Sequence, residues 1–392
     1  MPATTRVILA ILSLGLLHGF VGLRLLSRWP AAQAHAGLFW TFVVLFFLLG
    51  LFAPFFEIFT VRRRRDYVPA VTRWVDRASY LALGIFSCLL VYILAADVVT
   101  IIWQLVAPPA DPAAFDRNTL YVLAALTGVT TVLGVLQAAA GPAVENVDVA
   151  LDNLPPGFDG FRIVQISDLH VGPTIGRRFA DIVVRAANDL SPDLIALTGD
   201  FIDGEVRTLA HDVEPLAALT APHGVYFVTG NHEYYWDGDG WSAHFAQMGM
   251  TVLANEHRVV ERGNEAIVVA GVTDYYTRRM HRPDASSPDK AAAGVPEGLV
   301  KILLAHQPKS WDAARAAGFD LQLSGHTHAG QYFPFTLFIR FFQKYHRGLN
   351  RIGRRWLYVN RGTGYWGPPL RTLVRGEITL IRLHVGKTAE SS

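Results

Sequence analysis

Residues 161–170 read FRIVQISDLH, a predicted strand that ends at Asp168 and His170. Four more short runs place metal-ligating residue types at the ends of predicted strands: Gly199-Asp200, Gly230-Asn231-His232-Glu233, His306 and Gly325-His326-Thr327-His328. Because ligands of open α/β sheets collect beyond the carboxyl ends of strands, we expect the five runs to converge at one edge. Oxygen and imidazole ligands in this number suit two divalent cations, which is the usual arrangement for attacking phosphorus with water.

Strand and helix patterns alternate after residue 141. Strand patterns are predicted at 147–151, 161–167, 193–198, 224–229, 267–272, 299–305, 321–324 and 356–360. A closing hairpin is predicted over 372–385. Helices are predicted at 178–190 and 206–219, and the polar segment 275–296 is expected to be a surface loop. Alternating elements followed by a strand-rich half predict two packed sheets with helices outside.

The first third of the chain is apolar. Of 392 residues 51% are hydrophobic and only 17% charged, against roughly 25% charged in soluble domains. Four stretches, at about 7–26, 37–57, 79–106 and 119–140, have the length needed to cross a bilayer as helices. The first also resembles a signal peptide, but three further spans favour a retained anchor. We therefore expect a transmembrane region over 1–140 and a catalytic domain over 145–386.

Charge limits the function classes and predicts an orientation. The net charge of +2 is too small to indicate a nucleic-acid partner, and the single cysteine, Cys88, excludes an internal disulfide or a cysteine-based metal site. Seven arginines fall on one side of the predicted spans and three on the other: Arg6, Arg62, Arg63, Arg64, Arg65, Arg73 and Arg77 against Arg24, Arg28 and Arg117. The positive-inside rule then predicts an integral protein of the inner or plasma membrane with a cytoplasmic catalytic domain.

The five runs, together with Asp203, resemble the signature of the calcineurin-like metallophosphoesterases: D-x-H, G-D-x-x-D, G-N-H-[DE], a lone H, then G-H-x-H. The resemblance covers roughly residues 145 to 385. It implies a four-layer α/β/β/α sandwich, here preceded by an all-α bundle of about four transmembrane helices. By match to the signature, it implies one metal held by Asp168, His170 and His328, and a second held by Asn231, His306 and His326, with Asp200 bridging both.

His232 is expected to act differently from its neighbours. In the family pattern this histidine faces the substrate as general acid, and the carboxylate at Asp203 orients its ring. Glu233 is at least as well explained as a structural support of its loop. Imidazole and carboxylate ligands suit several divalent metals; we expect Mn²⁺ first, with iron and zinc as alternatives.

One segment after the last ligand run is unusual for a soluble domain. Residues 331–342 read QYFPFTLFIRFF, and no acidic residue lies between Gly330 and Arg355. Aromatic residues with cations are typical of an interfacial membrane element attracted to anionic lipid. The alternative is a buried loop beneath the second sheet. Arg340 and Arg361 are candidate contacts for substrate phosphate.

The sequence as a whole predicts a membrane-anchored, two-metal phosphoesterase, similar to bacterial membrane-associated phosphodiesterases. We expect it to hydrolyse a phosphodiester or pyrophosphate bond by attack of metal-bound hydroxide. Its expected partners are the lipid bilayer and a phosphate ester, with a lipid-linked phosphate as one candidate. The alternatives are a tethered phosphomonoesterase or nucleotide phosphodiesterase on a soluble substrate, and a catalytically silent membrane sensor or scaffold.

Overall fold

The computed structural model describes residues 3–54 and 70–386. The chain divides into two compact units: a helical unit of residues 1–137 with Gly367–Thr372, and a catalytic unit of Ala138–Trp366 with the residues from Leu373 onward. Arg62 to Arg65, on which the predicted orientation depends, lie outside the described residues. So do residues 55–57, at the end of the second predicted span.

The helical unit is built from helices that are apolar along most of their length. They are α1 (Ala3–Arg28), α2 (Pro30–Ala34), α3 (Ala36–Leu51), α4 (Ala70–Val106) and α5 (Pro112–Ala139). Four segments of the described residues are long and apolar enough to cross a membrane: Thr5–Arg28, Ala36–Pro54, Thr72–Val106 and Pro112–Ala139. Many of their large side chains are exposed, including Leu16 at 77% and Leu105 at 81%. Helices that are apolar on every face suit a lipid environment, and the prediction of four long apolar helices is confirmed.

A short segment from late in the sequence, Gly367–Thr372, also belongs to the helical unit. Leu370 packs against Gly84 and Gly134, where an added Cβ would lie 2.5 and 3.1 Å from the leucine methyl groups. The backbone N–H of Arg371 donates to the carbonyl of Gly134 at 2.9 Å. The two glycines therefore let this segment approach α4 and α5 closely, a contact that helical periodicity does not predict.

The catalytic unit contains two six-stranded sheets. In chain order the strands are β1 (Ala143–Leu151), β2 (Arg162–Ile166), β3 (Leu194–Leu197), β4 (Val225–Phe227), β5 (Thr251–Val252), β6 (Glu256–Arg262), β7 (Glu265–Gly271), β8 (Lys301–Leu304), β9 (Leu321–Ser324), β10 (Gly348–Ile352), β11 (Arg355–Val359) and β12 (Glu377–Val385). Their order is β1-β12-β2-β3-β4-β5 in one sheet and β10-β11-β9-β8-β7-β6 in the other. The runs β2-β3-β4-β5 and β7-β8-β9-β11 are parallel, so the carboxyl ends of each run lie at one edge.

The catalytic unit also contains the helices α6 (Arg177–Asp189), α7 (Val206–Val213), α8 (Asn231–Trp236), α9 (Gly238–Gln247), α10 (Pro288–Ala292), α11 (Trp311–Ala316) and α12 (Phe335–Phe342). One apolar core lies between the sheets and includes Ile163, Leu194, Ile302 and Leu323. A second joins the first sheet to α6, α7 and α9, and a third joins the other sheet to α10 and α11. These layers confirm the predicted α/β/β/α sandwich.

Several element predictions were wrong. Residues 372–385 do not form a hairpin: β12 is one strand, inserted between β1, to which it is parallel, and β2, to which it is antiparallel. The helix predicted over 206–219 ends at Val213 and continues as a 3-10 turn that contains Pro215, because proline cannot continue the α-helical hydrogen-bond pattern. The predicted loop 275–296 contains a 3-10 turn at Tyr275–Arg278 and helix α10.

Candidate metal centre

The five ligand runs follow strands of both sheets. Asp168 and His170 come after β2, Asp200 comes after β3, and Asn231 begins α8 just beyond β4. In the other sheet His306 follows β8, and the last run, which holds His326 and His328, follows β9. Because these strands are parallel neighbours within their sheets, their carboxyl ends deliver all five runs to the region where the two sheets meet.

Their ligand atoms form compact groups in which the spacing between atoms is small enough for one cation to bind them all. Asp168, His170 and His328 form one group, and Asp200, His306 and His326 form another, with the ligand atoms of each group within 4.8 Å of one another. In the first group, His328 Nε2 lies 3.1 Å from His170 Nε2 and 3.2 Å from Asp168 Oδ1.

The second group is equally tight. His306 Nε2 lies 3.0 Å from Asp200 Oδ2 and 3.2 Å from His326 Nδ1. Asp200 Oδ2 also lies 4.0 Å from His170 Nε2, which belongs to the first group. The carboxylate of Asp200 therefore lies between the two groups, as expected of a residue that could serve both.

The chemistry of these atoms fits a pair of divalent cations. Asn231 Oδ1 is buried and accepts no hydrogen bond from the part of the chain that the structure describes. Such orphaned buried acceptors are rare in native proteins. His170 Nε2 and His328 Nε2 lie 3.1 Å apart, a separation that suits one N–H···N hydrogen bond in the metal-free protein and also two ligands of one cation. Carboxylate oxygens, an amide oxygen and neutral imidazoles are ligands that borderline divalent metals accept.

The backbone is strained at the same positions. Five predicted ligands have left-handed φ values: Asp168 (54°), His170 (54°), Asp200 (57°), His326 (72°) and His328 (49°). This region costs an L-residue on the order of 1–3 kcal/mol, and such residues cluster at functional sites. The loops hold the strain by cross-strand hydrogen bonds, such as Asp168 N to Gly199 O at 2.9 Å. The left-handed turns redirect the side chains over the sheet edge.

Two glycines of the signature are required by close packing. An added Cβ at Gly199 would lie 2.5 Å from the backbone nitrogen of Gly230, and one at Gly325 would lie 2.1 Å from Asp168 Oδ2. A side chain at either position would displace a ligand or its loop. The glycines therefore permit the loops of both sheets to meet.

Asp203 joins two of the candidate residues. Its Oδ1 lies 2.5 Å from His232 Nδ1, and its Oδ2 lies 3.1 Å from His170 Nδ1. Burial opposes a charge on His232, but the carboxylates of Asp200 and Asp203 outweigh it and raise its pKa to about 9. The same imidazoles hold the pKa of Asp203 below its ordinary value in spite of burial. The family pattern links Asp203 only to His232, and the second bond of Asp203, to His170, follows from the fold.

Glu233 supports the loops. Its carboxylate accepts hydrogen bonds from the backbone N–H groups of Asp200 (3.0 Å), Phe201 (2.7 Å) and Gly230 (2.6 Å). Burial, together with the neighbouring Asp200, raises the pKa of Glu233 to about 7. This carboxylate is occupied by three donors and ties the loop after β3 to the start of α8.

The two predicted substrate contacts interact with other side chains of the catalytic unit. The guanidinium of Arg361 forms ion pairs with Glu377 and, at 2.6 Å, with Glu145. Arg340 is exposed on α12, where its guanidinium lies 5.1 Å from the ring centre of Phe341. Phosphate binding by either residue stays a prediction, and for Arg361 it would require these carboxylates to release the guanidinium.

Several residues that lie near the candidate site were not predicted from the sequence. The rings of Tyr235 and Trp366 lie 4.9 and 5.6 Å from the ring of His232, and Tyr276 lies 5.3 Å from Tyr235. Tyr235 had a sequence signal, since it follows His232 by three residues and so shares its helix face; Trp366, 134 positions further along, had none. Asp274 is also buried, and burial with the charge of Asp200 raises its pKa to about 6.

Comparisons with known proteins agree with this geometry. The family described as calcineurin-like phosphoesterase matches residues 161–330. The transmembrane protein with metallophosphoesterase domain of Danio rerio is 35% identical over 358 residues, covering 88% of this chain and 80% of that protein. The chain belongs to the calcineurin-like metallophosphoesterase family. A Bos taurus protein of the same description is 34% identical to this metallophosphoesterase over 372 residues. The alignment covers 90% of this chain and 82% of the bovine protein.

A bacterial relative extends over almost the whole metallophosphoesterase. An uncharacterized metallophosphoesterase of Campylobacter jejuni is 28% identical over 382 residues, covering 96% of this chain and 97% of that protein. The similarity to all three proteins therefore reaches beyond the residues matched by the family and into the apolar helices. This metallophosphoesterase is a metal-dependent hydrolase of phosphoric esters, and its family uses a dinuclear metal centre.

Proposed function

We propose that this chain is a membrane-anchored phosphodiesterase that cleaves a phosphodiester or pyrophosphate bond in a lipid or lipid-linked substrate. The observation that carries the proposal is the convergence of two ligand groups around Asp200. Asn231 precedes His232, whose backbone N–H donates to Asp200, and Asn231 Oδ1 is buried and accepts no hydrogen bond within the described residues. A site that only stabilised the fold would satisfy this oxygen within the protein.

In this proposal Asp168, His170 and His328 hold one cation, and Asn231, His306 and His326 hold the other, with Asp200 shared. When bound, the two cations supply an activated water and neutralise the phosphoryl oxygens. Mn²⁺ is the cation we expect first, because the site mixes imidazole and oxygen ligands. The neutral amide of Asn231 limits the negative charge that a phosphate anion meets.

His232 is proposed to give a proton to the leaving oxygen. Its Nδ1 is bound to Asp203 at 2.5 Å, and its Nε2 lies 3.9 Å from Asp200 Oδ2, on the side of the ligand groups. With a pKa raised to about 9, the free protein carries the proton on His232 at neutral pH, and bound cations would lower that value. Proton transfer from Nε2 leaves a neutral ring whose Nδ1–H still donates to Asp203. The pair also argues against a silent scaffold, which has no need of it.

The proposal of a lipid or lipid-linked substrate is supported by helix α12, which begins seven residues after His328. None of its residues is buried, and Phe335, Phe338, Phe341 and Phe342 are 43% to 78% exposed. No acidic residue occurs between Gly330 and Gly376, while cations recur throughout that segment. The alternative of a buried loop does not fit an exposed helix. Exposed aromatic residues with cations favour contact with an anionic bilayer surface.

A cytoplasmic catalytic unit is part of the proposal and rests on the arginine count. Its test is protease digestion of the full chain in sealed vesicles of known orientation. Cleavage within the catalytic unit only in inside-out vesicles is expected, and cleavage only in right-side-out vesicles would reverse the orientation.

The activity is tested with full-length protein purified in detergent. Bis-p-nitrophenyl phosphate, p-nitrophenyl phosphate and a prenyl pyrophosphate are compared with Mn²⁺, Fe²⁺, Zn²⁺ and Mg²⁺. We expect the diester or the pyrophosphate to exceed the monoester at least tenfold in kcat/KM. A monoester preference would instead support the tethered phosphomonoesterase, and a failure of every metal and substrate would support the silent scaffold.

A further inference from the structure

A cavity of about 740 Å³ lies within the helical unit, among α1, α2, α4 and α5. Its walls are mostly apolar and include Leu25, Leu89, Leu120 and Leu123. The volume falls in the range of roughly 300–1,000 Å³ that is typical of ligand sites. Two arginines line the same cavity: Arg28, the last residue of α1, and Arg117, near the start of α5. The cavity therefore combines apolar walls with cations at the ends of helices.

Two buried polar residues that line the cavity lack hydrogen-bond partners for one atom each. Arg28 is 4% exposed and Thr127 is 8% exposed. Within the described residues, Arg28 Nε and Thr127 Oγ1 form no hydrogen bond. Asp116 Oδ1 lies 3.7 Å from Arg28 Nε, beyond hydrogen-bond distance. An orphaned buried donor is costly, so a ligand that accepts from these groups would stabilise the unit.

The two arginines that line the cavity differ in their ion pairs. Asp97 accepts hydrogen bonds from Arg24 at 2.6 and 2.8 Å and from Arg28 at 2.5 Å, and Asp116 is a second carboxylate beside Arg28. Arg117 forms no ion pair within the described residues, so its positive charge is available to an anionic ligand.

We propose that this cavity binds one anionic phospholipid. The phosphate accepts hydrogen bonds from Arg28 and Arg117, Thr127 donates to an oxygen of the headgroup or the ester, and an acyl chain lies along the leucine wall. Arginines bind phosphate strongly, and basic pockets between membrane helices bind anionic headgroups. A soluble anion would leave the apolar walls unfilled, so the occupant is a lipid. This site goes beyond the proposed phosphoesterase activity and does not depend on it.

Binding is tested by native mass spectrometry of the full-length protein in a neutral detergent. Phosphatidylglycerol, phosphatidylcholine with the same acyl chains, and inorganic phosphate are titrated separately. One phosphatidylglycerol per chain is expected to bind at least tenfold more tightly than phosphatidylcholine, and phosphate alone is expected not to bind measurably. Equal binding of the two lipids would overturn the proposal, as would binding of free phosphate with an affinity equal to that of phosphatidylglycerol.

A cavity-filling variant keeps every charge in place. Gly128 lines the cavity and has no atom within 4 Å of an added Cβ, so Gly128→Leu should fold and should reduce phosphatidylglycerol binding at least tenfold. Gly37 also has open space around an added Cβ but does not line the cavity, and Gly37→Leu is the matched control. Unchanged binding by Gly128→Leu, or an equal loss in Gly37→Leu, would refute the site.

The role of Arg28 in binding the headgroup is tested separately. Arg28→Gln should remove the preference for phosphatidylglycerol over phosphatidylcholine, and Arg28→Lys should restore part of it. If Arg28→Gln fails to fold because Asp97 loses a partner, Gly128→Leu still decides the question. A folded Arg28→Gln variant that keeps the full preference would overturn the headgroup assignment.

Discussion

The helical and catalytic units both place aspartates among cationic or imidazole side chains, but the partners differ in one chemical property. In the helical unit Asp97 accepts hydrogen bonds from Arg24 and Arg28, whose guanidinium groups never lose their protons in proteins. In the catalytic unit Asp168 and Asp200 face histidines, whose neutral rings offer lone pairs. The arginines offer Asp97 only N–H donors, whereas the histidines beside Asp168 and Asp200 also carry ring nitrogens that can bind a cation. Asp203 also meets two histidines, through their Nδ1 atoms, so histidine partners permit a metal site without requiring one.

The two units also differ in why they expose apolar side chains. The long helices expose leucines such as Leu16 and Leu105 because they are apolar on every face along most of their length. In the catalytic unit the cores lie between layers, and α12 is a local exception with Phe341 at 71% and Phe342 at 78% exposure. Exposure in the helical unit is a property of entire helices, whereas in α12 it is confined to eight residues next to the site.

The largest expected effect is on the shared aspartate of the catalytic unit. Asp200→Asn should reduce metal-dependent diester hydrolysis by about 10³-fold or more, because it removes a negative ligand from both proposed cations. Bound metal is measured by mass spectrometry of the acid-released ions, and hydrolysis with bis-p-nitrophenyl phosphate. Retention of a tenth of the activity with two metals bound would contradict the shared role.

Next is the histidine that we propose as a proton donor. His232→Ala should leave the metal content unchanged and slow hydrolysis of diesters with alkyl leaving groups by about 10²-fold. Diesters of p-nitrophenol, which need no acid at the leaving oxygen, should lose much less. His211→Ala, at an exposed histidine of α7, is the control. Equal losses on both substrates would exclude a general acid at this position.

In the helical unit, replacing an aspartate by asparagine should lower the stability of the protein and leave its catalytic activity unchanged. Asp97→Asn leaves Arg28, 4% exposed, with only the more distant Asp116 as a counter-ion, and breaking a buried pair typically costs about 3 kcal/mol. We expect a lower Tm of the full chain in detergent, with unchanged kcat on a soluble diester. Asp116→Asn, at 3.7 Å from Arg28 and 42% exposed, should lower the Tm far less. If the Tm of the two variants fell equally, the pairing of Asp97 would not be the stabilising feature.

The smallest effect concerns α12. Phe338→Asp combined with Phe341→Asp should lower activity on a prenyl pyrophosphate in anionic vesicles about tenfold, since aspartates would repel the bilayer surface. Activity on a soluble diester should be unchanged. Ile182→Asp, at a 41% exposed position of α6, provides the matched substitution elsewhere. An equal loss on soluble and lipid substrates would show that α12 acts on the site rather than on the membrane.

The order and spacing of short motifs predicted much of the catalytic unit. Asp168 and His170 are two residues apart after an apolar strand, so their convergence with the other runs followed from parallel strands ending at one edge. The hairpin predicted over 372–385 failed because alternation along a strand does not say which strands it joins. β12 pairs with β1 and β2, more than 200 residues away, and such pairing is set by packing between distant segments.

What the sequence determined by itself is local and periodic: apolar runs long enough to cross a bilayer, strands that end on ligand residues, and glycines beside them. These properties depend on neighbouring residues, so they can be read without the fold. Only the tertiary structure decided which partners each charged group meets. In the folded chain Asp203 is hydrogen-bonded to both His170 and His232, and Glu233 accepts hydrogen bonds from three backbone N–H groups. Asp97 is paired with Arg24 and Arg28, which lie 73 and 69 residues away in the sequence. The energy of a charge depends on the atoms within a few ångströms of it, and the fold determines which atoms those are.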